Sequence, residues 1–120
     1  MADPTKKPFR LRADQIKPIA TGYGGCFATD MITCDGRKVA FMYREEPDFD
    51  VDSGWRFFSG FESDDYVNNP DNIAIYDINT IANDDPDIIP FLDAPVGSSF
   101  ERENGTGPFV EVHDFELPTE

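Results

Sequence analysis

Residues 25–45, GCFATDMITCDGRKVAFMYRE, carry the strongest local signal in the chain. At their centre, Asp35-Gly36 supplies the positive φ angles that a two-residue turn demands, and apolar residues alternate on either side. With Cys34 and Arg37 flanking the turn, Ile32 faces Val39, Asp30 faces Phe41 and Ala28 faces Tyr43. Met31 meets Ala40 and Thr29 meets Met42 on the opposite face. Val39, Phe41 and Tyr43 then line one side, the period-2 pattern of a half-buried sheet. A β-hairpin from Gly25 to Glu45 is expected. The same register sets Cys26 and Cys34 eight positions apart in one strand, far beyond disulfide reach at about 3.3 Å per residue. Two free thiols are expected.

Upstream, Gly22-Tyr23-Gly24-Gly25 lacks the Lys-Ser/Thr of a phosphate loop and reads as a tight entry into the first strand, with room for a bulge. Downstream, Trp55-Arg56-Phe57-Phe58 reads as a strand between Gly54 and Gly60. Alternation with Phe57 favours a buried Trp55 anchoring the sheet over an exposed one at an interface, and turns Arg56 toward acidic neighbours on the other face. Ser63 caps a short helical turn through Asp64, Asp65 and Tyr66, ended by Pro70. Ile73–Tyr76 is a further strand. A helical turn capped by Asp77 or Asn79 follows, with Ile78 and Ile81 inward. A second has Asp85 as N-cap, Pro86 at its first position and Asp87 beside the positive helix end; Ile88, Phe91 and Leu92 face the core. Residues 98–102 and 109–112 close the sheet as a strand pair across a loop containing Asn104-Gly105. These elements predict an α+β domain, mainly an antiparallel β-sheet with a few short helices.

One domain is all that 120 residues accommodate. Residues 1–18 read as a flexible basic lead-in, broken by Pro4, Pro8 and Pro18, which Phe9 and Leu11 can dock as an edge. The domain proper spans 19–113, and 114–120 read as a frayed tail. No apolar targeting segment lies in residues 1–20 and no stretch reaches membrane-spanning length, so a cytoplasmic protein is expected.

The net charge is −14, with 24 acids against 10 bases. It disfavours nucleic acid or an anionic membrane as partner and favours a cationic surface. The charge is concentrated: residues 45–93 hold fourteen acids against Arg56 alone.

Three constellations bear on chemistry. Asp48-x-Asp50-x-Asp52 resembles the start of a calcium loop, yet Ser53 and Ser59 stand where Gly and Glu are required, which leaves a solvated or partner-facing cluster with at most weak divalent binding. Asp64-Asp65 and Asp84-Asp85 are adjacent carboxylates without an accompanying nucleophile, so capping and solvation account for them. His113 is the one histidine, and no sequence signal pairs it with either cysteine. No catalytic residue, metal site or cofactor is expected.

Met42-Tyr43-Arg44-Glu45-Glu46-Pro47, Asp52-Ser53-Gly54-Trp55-Arg56-Phe57-Phe58-Ser59-Gly60, residues 75–83 (Ile75-Tyr76-Asp77 onward), Asp87-Ile88-Ile89-Pro90 and Gly97-Ser98-Ser99-Phe100-Glu101-Arg102 together resemble a bacterial family. It was first catalogued as a domain of unknown function and later proposed to comprise immunity proteins of polymorphic toxin systems. The resemblance runs from about Gly24 to Val112 and implies a small cytosolic α+β protein that neutralises a toxin. It carries over no functional residue.

Joined to the charge map, it leads to a specific expectation: a non-enzymatic protein covers the basic active-site cleft of a cognate toxin. The covering surface would be Glu45, Glu46, Asp48, Asp50, Asp52, Asp64, Asp65, Asp84, Asp85 and Asp87. The rival readings are a general acidic interaction module or nucleic-acid mimic, and, behind it, a small metal-dependent enzyme.

Overall fold

Gly25–Thr29 (β1) is buried at four of its five positions, and a strand of that kind needs a neighbour along each edge. In the computed structural model, which describes residues 9, 11, 13–102 and 107–112, both edges are taken by later segments. Asp52–Phe58 (β3) pairs with it in parallel and Ile73–Asp77 (β4) pairs antiparallel. Phe41–Arg44 (β2) lies on the far side of β3, followed by Ser99–Glu101 (β5) and Val110–Glu111 (β6). The sheet order is β4-β1-β3-β2-β5-β6. An α+β domain it is, antiparallel in every pairing but β1 with β3.

The expected hairpin across Asp35-Gly36 does not form. The chain leaves β1 into a short helix, Asp30–Thr33 (α1). Gly36 keeps its positive φ of 79° but uses it to end that helix, where the Arg37 N–H reaches back to the Met31 carbonyl at 2.9 Å. A turn dipeptide closes a helix as readily as a hairpin, and burial decides between them. Ile32 and Thr33 go inward from the helix, while β1 keeps both edges for β3 and β4. The hairpin is one strand later, β2 with β3, across the acidic loop. Cys26 and Cys34 are therefore not in one strand, and no disulfide joins them.

The expected helix caps form. Ser63 caps Asp64–Val67 (α2) by accepting from the Tyr66 N–H at 3.1 Å. Asp77 caps Ile78–Asp84 (α3). Asp85 caps a 3-10 helix, Pro86–Phe91. Asn104-Gly105, His113 and the 114–120 tail lie outside the described residues, as does most of the lead-in. The junction of lead-in and domain is tied to α3: the Lys17 N–H donates to Asn83 and those of Ile19 and Ala20 to Asn79, at 2.8–2.9 Å. Phe9 stands edge-on to Tyr76.

One face of the sheet carries the row Ala74, Ala28, Phe57, Met42, Phe100, with Trp55 beside it. Ile32, Ile78, Ile81, Ile88 and Leu92 cover it from the helix layer. Trp55 is fully buried, stacks on Phe57 and donates its indole N–H to the Leu92 carbonyl at 3.2 Å. Phe41 and Tyr43 do not join this core. They point to the opposite face, and Met42 takes the inward position.

Candidate functional site

The opposite face has the cross-strand row Ile75, Phe27, Arg56, Tyr43, Ser99. Among the described residues no helix lies across it as the helix layer does on the first; α2 only borders it. It forms a concavity of about 830 Å³ floored by Phe27, Arg56, Tyr43 and Phe58, with Ile73 and Ile75 along one side and α2 with the following 3-10 turn, Pro70–Asn72, along another. Ile75 is 55% exposed.

Arg56 lies at the middle of this floor, 3% exposed. A bulge in β3 explains how its charge is held. Two steps along β1, Gly25 to Phe27, oppose four along β3, Asp52 to Arg56. The extra residues are accommodated at Gly54, φ 91°, where any Cβ would run into the Glu45 carbonyl. In a regular strand, residues four apart are about 13 Å apart. Here the Arg56 Nη2 donates to Asp52 Oδ2 at 2.8 Å and Nη1 to Oδ1 at 2.9 Å, a bidentate pair. Glu45 accepts from Nε at 2.5 Å, and the guanidinium lies 4.5 Å from the Phe27 ring centroid.

Burial opposes ionisation of Asp52, but hydrogen bonds from Arg56 and from the Asp48 and Gly54 N–H groups overcome it and hold the carboxyl at about 2 against an ordinary 3.8. Because the folded pKa is the lower one, the pair's stabilisation is fully present above about pH 4 and is lost as pH falls through about 2. It amounts to about 2 kcal/mol. Urea unfolding between pH 5 and pH 2 should therefore fall more steeply for the wild type than for Asp52→Asn; equal slopes would count against this assignment. Burial, aided by the charge of Glu45, pushes the Tyr43 phenol up to about 12, so the floor stays neutral there. On the helix face burial pushes the Cys26 thiol well up, which makes it inert.

The ten acids proposed from sequence do not form one surface. Glu46, Asp48, Asp50, Asp64, Asp65 and Asp87 are exposed and Glu45 is half-buried, whereas Asp52, Asp84 and Asp85 are buried. Asp52 is committed to Arg56. Asp85 is engaged by Arg102, which also holds Asp87. Position divides them further. The 45–51 loop folds against the open face through Phe49, which packs edge-on to Phe27, and α2 borders the same concavity. Asp84, Asp85 and Asp87 belong to the helix layer across the sheet. The Asp48, Asp50, Asp52 cluster does not converge either, since Asp52 turns inward, and no group of three or more metal-ligating side chains occurs among the described residues.

Charge counting overlooked the concavity. Its signal was present in apolar residues on both faces of three strands: Phe57 and Phe58, Met42 and Phe41, Ala74 and Ile75. A sheet so patterned is covered on both sides or exposes one for binding.

The family model of the Immunity protein Imm33 domain matches residues 26–113. The chain belongs to the Imm33 immunity protein family. The matched span takes in every strand of the sheet apart from Gly25, and with it the Arg56 centre and the concavity. No curated protein and no solved structure matches this Imm33 chain. Among its described residues no helix is long and apolar enough to cross a membrane.

Proposed function

We propose that this Imm33 protein binds a cognate toxin and neutralises it as a stoichiometric cover, without catalysis, by setting acidic surface against a basic active-site cleft. The observation that carries the reading is the immunity-domain match over residues 26–113. The charge distribution supports it: Glu46, Asp48 and Asp50 on one loop and Asp64 and Asp65 on α2 are exposed, and a net charge of −14 speeds association with a cationic partner.

Co-expression with the toxin encoded beside its gene tests the role. Survival supports it, and killing despite soluble expression of this protein overturns it. The surface is tested separately by Asp48→Lys with Asp50→Lys, both exposed. Association should slow by about tenfold at low salt and lose most of its salt dependence, as measured by stopped flow. An unchanged rate places the contact elsewhere. Similar affinity for unrelated basic proteins in a pull-down would favour a general acidic module instead.

A further inference from the structure

We propose that the concavity on the open sheet face is the specificity pocket of the interface, and that it takes apolar side chains from a toxin loop in which Lys or Arg adjoins them. This rests on the immunity reading and adds what that reading lacks, a means of choosing one basic protein among many.

Three observations converge on it. Apart from Arg56 the floor is apolar and already shaped: Phe27, Phe58 and Tyr43 lie under it, and Ile75 stands exposed at its side. Its volume of about 830 Å³ is large enough for several side chains. Among the described residues the one cation lining it, Arg56, is held by Asp52 and Glu45 and leaned against Phe27, so it does not repel an incoming base. Glu45 and Asp71 line the same concavity, and the exposed acids of the 45–51 loop and of α2 stand beyond it. An apolar floor within acidic walls suits a partner with an apolar anchor and a flanking positive charge. A second copy of this chain is a poor occupant, because two protomers at −14 each repel.

Ile75→Lys tests the pocket. The site is exposed and lies on an edge strand, where lysine is tolerated, so the fold should survive with its thermal midpoint nearly unchanged. Calorimetry against the purified toxin domain encoded by the neighbouring gene should show affinity at least about thirtyfold weaker, the scale of a lost hot spot, and mostly through faster dissociation. Ile75→Leu, which conserves volume, should bind as the wild type does. Tight wild-type binding with Ile75→Lys unchanged overturns the pocket and leaves the immunity reading intact. Failure of the wild type to bind overturns both. A free protein that is dimeric, and that Ile75→Lys renders monomeric, overturns the pocket in favour of self-association.

Discussion

Replacing Arg102 with Ala is expected to destabilise the fold by about 3–5 kcal/mol, the cost of leaving a buried charge without its partner. The Arg102 and Asp85 side chains are each 1% exposed and directly paired. Their neighbourhood spreads the damage. Asp85 also accepts the Val39 N–H at 2.9 Å, and the Arg102 Nε donates to the Val39 carbonyl at 2.8 Å, so the two side chains satisfy both backbone groups of one residue leading into β2. Nη1 reaches Asp87 at 2.8 Å, and the guanidinium lies 4.3 Å from the Phe109 ring centroid. Loss of Arg102 therefore loosens β2, the 3-10 helix and the segment before β6 together. A urea midpoint near the wild-type value would refute this. The Arg102→Met, Asp85→Asn double variant should recover part of the loss, since it removes both charges at once.

Trp55→Ala is expected to cost about 3–5 kcal/mol, the range for emptying a large aromatic site that cannot collapse. Collapse is blocked because Trp55 lies between Phe57 and Phe100 on the sheet side and the 3-10 helix on the other, with ring centroids at 6.1 and 6.4 Å. Its N–H bond to Leu92 ties the helix layer to the sheet at that point. Trp55→Phe retains most of the volume and loses the bond, so it should cost about 1–2 kcal/mol. Equal losses for Ala and Phe would mean that the hydrogen bond, and not packing, carries the site. Thermal or urea unfolding of the three proteins distinguishes the cases.

What could be read from sequence divides by range. Ser63, Asp77 and Asp85 cap the helices assigned to them because a cap depends on the next two or three residues. Trp55–Phe58 and Ile73–Tyr76 are strands for the same local reason. Strand partners are another matter. Alternation shows that residues 25–29 are extended, but it does not say that residues 52–58 and 73–77 will outcompete 41–44 for their edges. The carboxylates show the same divide. Asp52 and Asp50 look alike in an acidic run, and only the bulge at Gly54 brings Asp52 to Arg56. The acid cluster could be located in sequence, but not sorted into pairs, caps and open surface.

The placement of β3 between β1 and β2 also governs how the chain assembles. β1 precedes both of its partners in the chain, the nearer beginning at Asp52 and the farther at Ile73. Until those segments arrive it has no edge to join, and each pairing must close a long loop first. The β2–β3 hairpin closes only the 45–51 loop and, with β5–β6, is among the cheapest pairings entropically. Assembly from that hairpin outward would place the Arg56 cluster, with its two acids drawn from β3 and from the residue after β2, inside the first structure to form. The residues that shape the floor of the concavity are then also the ones on which the rest of the sheet is templated.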